Sequence, residues 1–234
     1  MVQNMRSKMQ IGSLVMLIAV LTVAVLSVAT LSLGAQPPKV IDQGKIIMSE
    51  GGKRLSEESF KLFSDGSATA VWKSVENSSQ GELASSLFTK NGKLVRASLK
   101  WADAYLNAQT KDRTINVLTA GRKSEISAPD GAYFLDTLLW HPWVVVMKHY
   151  DYKKGGPQDF PVVEPRQMIG LLTAHVVPAG IQLVSVEGKD KKAQHFTISI
   201  KVEDVTIGAG IELWISMERR LLKGSWNEVE VVVE

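Results

Sequence analysis

Beyond Pro38 the chain is written in period two. Phe60 and Leu62 alternate with Ser59, Lys61 and Phe63, and Phe196, Ile198, Ile200 and Val202 alternate with Thr197, Ser199, Lys201 and Glu203. Ile211, Leu213, Ile215 and Met217 oppose Glu212, Trp214, Ser216 and Glu218, and Val95, Ala97, Leu99 and Trp101 oppose Leu94, Arg96, Ser98 and Lys100. Successive side chains of a strand point to opposite faces, so such a text folds into sheet with one apolar and one wet face. Turn signals punctuate it: Ser49-Glu50-Gly51-Gly52, Asp65-Gly66 and Asn91-Gly92. The last is among the strongest short-range hairpin signals. Antiparallel pairing with a single covered face follows. The expected strands are about 44–50, 53–64, 67–77, 81–91, 94–106, 112–120 and 122–128, then 160–165, 168–177, 181–188, 193–203, 205–217, 220–225 and 228–233. Gly208 and Gly210 should bend or bulge the strand that holds them. The fold class is mainly β: a strongly curved antiparallel meander or open half barrel.

One stretch breaks the period. GAYFLDTLLWHPWVVVMKHYD, Gly131 to Asp151, gathers two tryptophans, a phenylalanine and two tyrosines around a single proline. Leu135, Leu138 and Leu139 have helical spacing, and Pro142 suits the first turn of a second helix. Trp143, Val146, Met147 and Tyr150 then fall on one helical stripe, whereas Val144, Val145 and Val146 favour a strand. A helical insertion over about 133–151 would lie across the open apolar side as a lid. The residues expected to line an apolar site there are Trp101, Leu138, Trp140, Trp143, Val146, Met147 and Tyr150.

The chain opens MVQNMRSKMQ and continues IGSLVMLIAVLTVAVLSVATLSLGAQPP, a short basic segment before a long apolar one. Residues 1–35 therefore read as a signal peptide or as an N-terminal membrane-anchor helix. Arg6 and Lys8 keep the amino end cytoplasmic, so the rest is expected outside the cytoplasm. Residues 36–43 read as a linker and 44–234 as a single β domain. The formal charge of +3 and pI of about 9.0 suggest nucleic acid only superficially. Arg6 and Lys8 are the only charges before Lys39, leaving 25 basic and 24 acidic residues beyond them. That balance is no phosphate-binding footprint, and no nucleic-acid partner is expected. Without cysteine there is no disulfide, thiolate metal site or lipid-modified cysteine. An exported domain lacking staples points to a bacterial envelope.

Chemistry is hard to find. No phosphate loop, dinucleotide fingerprint, zincin motif or nucleophile elbow occurs. His141, His149, His175 and His195 read as surface or half-buried residues rather than metal ligands. Glu57 and Glu58 are neighbours on a strand and so point to opposite faces. Nothing in the residues favours Ser–His–acid catalysis, although its order varies among folds. No cofactor and no enzyme activity is expected. Trp72, Trp101, Trp140, Trp143, Trp214 and Trp226 either fill the core or line a pocket; Trp214, on a polar strand face, suits a rim or a partner contact.

Three segments carry a resemblance: GKLVRASL, YFLDTLLWHPWVVVMKHYD and IELWISMERRLLKGSW. They resemble exported bacterial β-meander proteins of an uncharacterised family and, more distantly, the lipoprotein-carrier half barrels. The resemblance implies a leader, long strands, a short central helical insertion and apolar cargo such as a lipid or lipoprotein. It transfers no catalytic residue. The functional expectation is an envelope binding or carrier module for an apolar ligand; a structural or protein-interaction component with a solid core is the alternative.

Overall fold

The structure is a computed structural model that describes residues 37–75, 82–91, 93–101, 104–129, 131–166, 169–203 and 205–234. The expected leader lies outside them. Fifteen strands form one sheet: β1 (Val40–Glu50), β2 (Lys53–Phe63), β3 (Ala68–Ser74), β4 (Glu82–Lys90), β5 (Lys93–Trp101), β6 (Ala104–Lys111), β7 (Thr114–Thr119), β8 (Arg122–Ser127), β9 (Tyr133–Phe134), β10 (Gln158–Glu164), β11 (Ile169–Val186), β12 (Lys189–Val202), β13 (Val205–Ser216), β14 (Leu221–Trp226) and β15 (Val229–Val233). Among the described residues one helix, α1 (His141–Lys148), interrupts them. The spatial order is β8-β7-β6-β5-β4-β3-β2-β1-β15-β14-β13-β12-β11-β10-β9. It is a meander in two halves, joined where β1 pairs with β15, and its ends are not paired, so the sheet stays open. Every pairing is antiparallel except β9 with β10.

Several boundaries differ from the sequence reading, each for a local reason. β1 starts at Val40, inside the stretch expected as linker. The expected 94–106 strand is two, β5 and β6, which pair antiparallel with Trp101 opposite Ala104. The next turn sits at Asp112 and Arg113, non-glycine residues at φ of 48° and 63°. In β5, Leu94 rather than Val95 is in the core, because pairing with β4 slips between Phe88 and Thr89. The break expected near Pro178 is a bulge within the 18-residue β11, where the register shifts between Pro178 and Gly180. A bulge tolerates the missing proline N–H and bends the strand. The bulge expected at Gly208 and Gly210 is present: β12 and β13 lose register around Ile200.

Residues 132–150 run through the inside of the curve. Phe134, Leu139 and Val145 pack with Leu62, Leu99, Leu106 and Ile115 from one half of the sheet. Tyr133, Trp140, Trp143, Val146 and Met147 pack with Leu172, Phe196, Ile198 and Leu213 from the other. The expected first helical turn is instead the two-residue β9 followed by a tight turn. α1 is helical as its stripe suggests, but every residue from His141 to Met147 is buried. An amphipathic lid would leave one face wet; this helix is a partition with core on both sides, which corrects the lid expectation. Each such buried side chain contributes roughly 1.5–3 kcal/mol. That is why so much aromatic surface is spent here.

The fit is close at Gly224. A Cβ on it would lie 2.7 Å from Trp140 Cζ3 and 2.8 Å from Val231 Cγ2. Gly224→Ala is expected to destabilise the protein by about 1–3 kcal/mol, read from denaturant midpoints. An unchanged midpoint would mean that the Trp140 ring is free to move.

Candidate functional site

An eight-residue helix does not hold itself, and α1 has no side-chain cap of its own. Glu58, on β2, supplies one from outside. Its Oε2 accepts the N–H of Trp140 at 2.7 Å, and its Oε1 accepts the N–H of His141 at 3.0 Å. Pro142 has no N–H to satisfy, and Trp143 N–H donates to the Trp140 carbonyl. The carboxylate also sits at the positive end of the helix dipole. Oε1 lies 2.6 Å from His141 Nδ1, and His141 Nε2 lies 3.4 Å from Ser85 Oγ. At the far end Lys148 reaches Asp42 at 2.9 Å, and Asp42 also holds Arg220 at 3.0 Å.

Ser85, His141 and Glu58 thus stand in the order of a nucleophile, a base and its orienting acid. Their burial argues against that use. Ser85 is 2% exposed, His141 1% and Glu58 0%, and none of them lines any of the surface hollows described below. A substrate carbonyl has no way to Ser85 Oγ. The trio fastens the helix to the sheet. His141, expected at or near the surface, is instead among the most buried polar groups. Glu57, pointing the other way, pairs with Lys45 and Arg54 in solvent, as the alternation requires.

Two hollows flank the turn before α1. The larger is a cleft of about 270 Å³ lined by Leu135, Leu139, Trp140, Trp143, Leu172, Ile200, Ile207, Gly208, Ile211 and Trp226, with Asp136, Thr137 and Glu164 as its polar members. The second, about 230 Å³, is lined by Trp72, Leu83, Trp101, Leu138 and Arg166. The β13 bulge makes the cleft possible. It puts Gly208 opposite Ile200, where a side chain would otherwise fill the space. Of the residues expected to line an apolar site, Trp140 and Trp143 line the cleft, and Trp101 and Leu138 line its neighbour. Val146, Met147 and Tyr150 do not; they are core. Trp214 lies on the other face of its strand, stacked on His195 at 4.6 Å with its Nε1–H donating to Gln182.

The polar end of the cleft is tightly wired. Asp136 Oδ1 accepts the N–H of Leu138 at 2.8 Å, and Asp136 Oδ2 pairs with Arg166 Nε at 2.8 Å. Arg166 Nη2 donates to Thr137 Oγ1 at 2.6 Å, and Thr137 N–H donates to Glu164 Oε1 at 3.0 Å. Burial pushes the Glu164 carboxyl above the ordinary value of 4.5, against the pull of the Thr137 N–H; Asp136 adds to the rise, and Arg166 opposes it. A carboxyl raised on folding stabilises the native state below its unfolded pKa, and that contribution is lost as pH rises through the folded one. Glu164→Gln should therefore be at least as stable as wild type at pH 7, with a flatter stability profile above about pH 4.5. Thermal midpoints across pH 4 to 8 check this; a variant that falls below wild type at pH 7 contradicts it. The sequence reading weighed Glu58 only as the neighbour of Glu57 and did not pick out Glu164 or Ser85, although each of the three sits in phase with apolar neighbours on its strand.

Among the described residues no group of three or more histidines, aspartates or glutamates is placed to hold a metal ion, and no helix is long and apolar enough to cross a membrane. No family model and no curated protein matches the chain. Among solved structures it is similar to the crystal structure of the hypothetical lipoprotein YmcC from Escherichia coli (K12), at 10% identity and a TM-score of 0.35. The match covers 82% of this chain and 84% of that one. A likeness so slight carries no argument about function.

Proposed function

We propose that this chain is an exported, non-catalytic module of the bacterial envelope that binds or carries a ligand with an apolar portion, held in the cleft beside Trp140. The observation that carries the reading is the cleft. Its wall of three tryptophans, three leucines and three isoleucines lies beside a helix whose residues His141 to Met147 are all buried. Its volume lies near the lower end for small-molecule sites, which run from roughly 300 to 1,000 Å³. Ile207, 52% exposed, stands at its rim, and Val205, 65% exposed, follows the same hairpin end. Apolar groups so placed suit transfer of a chain from a membrane or from a partner. The leader would tether the domain to the membrane if it is not cleaved.

A specific observation favours a second reading, a structural or protein-interaction component. Ile181, Leu183 and Met217 are 61%, 66% and 63% exposed at the far end of the long β11–β12 hairpin and beside it. They are distant in register from the cleft, and a partner protein would cover them. Native mass spectrometry of the full chain released from membranes separates the two. The carrier reading expects one co-purifying lipid-like mass per chain and uptake of a fluorescent apolar probe. Repeated absence of both moves the assignment to the second reading.

A further inference from the structure

The cleft's few polar groups are acceptors of one sign, which narrows what an occupant can carry. Asp136 is already spent: both its oxygens are engaged, one by the Leu138 N–H and one by Arg166. Arg166 divides its remaining reach between Asp136 and the Thr137 hydroxyl, and it lines the neighbouring hollow rather than the cleft. Glu164 is left. It is 6% exposed, takes hydrogen bonds only from the neutral Thr137, and has no ion pair among the described residues. A nearly buried carboxyl without a cationic partner is costly, and the cost falls when a cation or a strong donor reaches it. The surrounding Trp140, Trp143 and Trp226 present the ring type that most favours a cation.

Building on the cleft reading above, we propose that the occupant is a single-chain amphiphile whose polar end is an ammonium group. Its chain lies against Trp143, Ile200 and Ile211, and its ammonium group reaches Glu164. A fatty carboxylate or a phosphate monoester of the same length is disfavoured by charge, because it would bring another anion to a carboxylate that holds no direct ion pair among the described residues. An alcohol is tolerated, since its hydroxyl donates one neutral hydrogen bond.

The test uses the full chain in nanodiscs of zwitterionic lipid, with empty nanodiscs as the blank. Octylammonium, octanol and octanoate compete against a fluorescent apolar probe at pH 7. The expected order of affinity is octylammonium, octanol, octanoate, with at least about tenfold between the extremes, the scale of one charge-assisted hydrogen bond. Glu164→Gln should bring octylammonium to within about threefold of octanol, while its thermal midpoint at pH 7, no lower than that of wild type, reports a folded protein. Octanoate binding as tightly as octylammonium, or an unaltered ammonium preference in Glu164→Gln, overturns the proposal. If the three probes bind equally, the ammonium assignment falls and the apolar cleft stands. If none binds, both fall.

Discussion

Glu58→Ala is expected to destabilise the protein by about 3–5 kcal/mol, the scale of leaving three buried hydrogen-bonding groups without their acceptor. The substitution deletes the acceptor of two backbone N–H groups and of His141 Nδ1 at once. His141 is 1% exposed, so bulk solvent does not reach the freed groups. The helix also loses the negative charge at its start, and the partition between the two halves of the core loses its fixed end. The neighbouring Glu57→Ala is the control. Its ion pairs with Lys45 and Arg54 are solvent-exposed, so a change within about 0.5–1 kcal/mol is expected. Glu58→Gln should fall between them, because it keeps one acceptor oxygen. Chemical denaturation midpoints give all three values. Equal midpoints for the alanine variants at 57 and 58 would show that α1 is held by packing alone.

The second large effect concerns binding. Gly208→Leu should abolish uptake of an apolar probe, weakening it by about a hundredfold or more. Gly208 is one of the cleft residues, and a Cβ placed on it meets nothing closer than Ile200 Cβ at 3.7 Å, an ordinary contact. Its backbone is not in the left-handed region, unlike that of Gly210 at φ of 82°. A leucine there projects into the hollow without strain, and stability is expected to stay within about 1 kcal/mol of wild type. A variant equally stable and still binding would show that the probe enters elsewhere.

Much of the architecture was legible because sheets are simple to read. Phe60 and Leu62 are in the core where the alternation puts them, as are Phe196, Ile198, Ile211, Leu213 and Ile215. The tight turn at Gly51-Gly52 is where the glycines ask for it. The turn at Asp112-Arg113 escaped because its left-handed residues carry side chains, so no glycine marked it. Pro178 looked like a boundary, and only tertiary pairing shows that the strand continues through it. The central helix was legible in its stripe, yet a stripe cannot reveal whether the opposite face is wet or covered by a second wall. The polar lock had a signal that went unused. Glu58 is in phase with Phe60 and Leu62, Ser85 with Leu83 and Leu87, Glu164 with Phe160 and Val162. A polar residue on the apolar face of a strand must have a partner inside, and which partner depends on pairings between β2, β4 and the 132–150 segment that no local pattern contains.

The claim on which the account turns is that the cleft beside Trp140, rather than the neighbouring hollow or the exposed residues of the β11–β12 hairpin, accepts an apolar chain. Quenching of tryptophan emission by a chain carrying bromine near its end reads this directly, since Trp140, Trp143 and Trp226 line the gap. The account predicts saturable quenching at one chain per protein in the wild type and none in Gly208→Leu. Quenching that never saturates, or that is the same in both proteins, would contradict it.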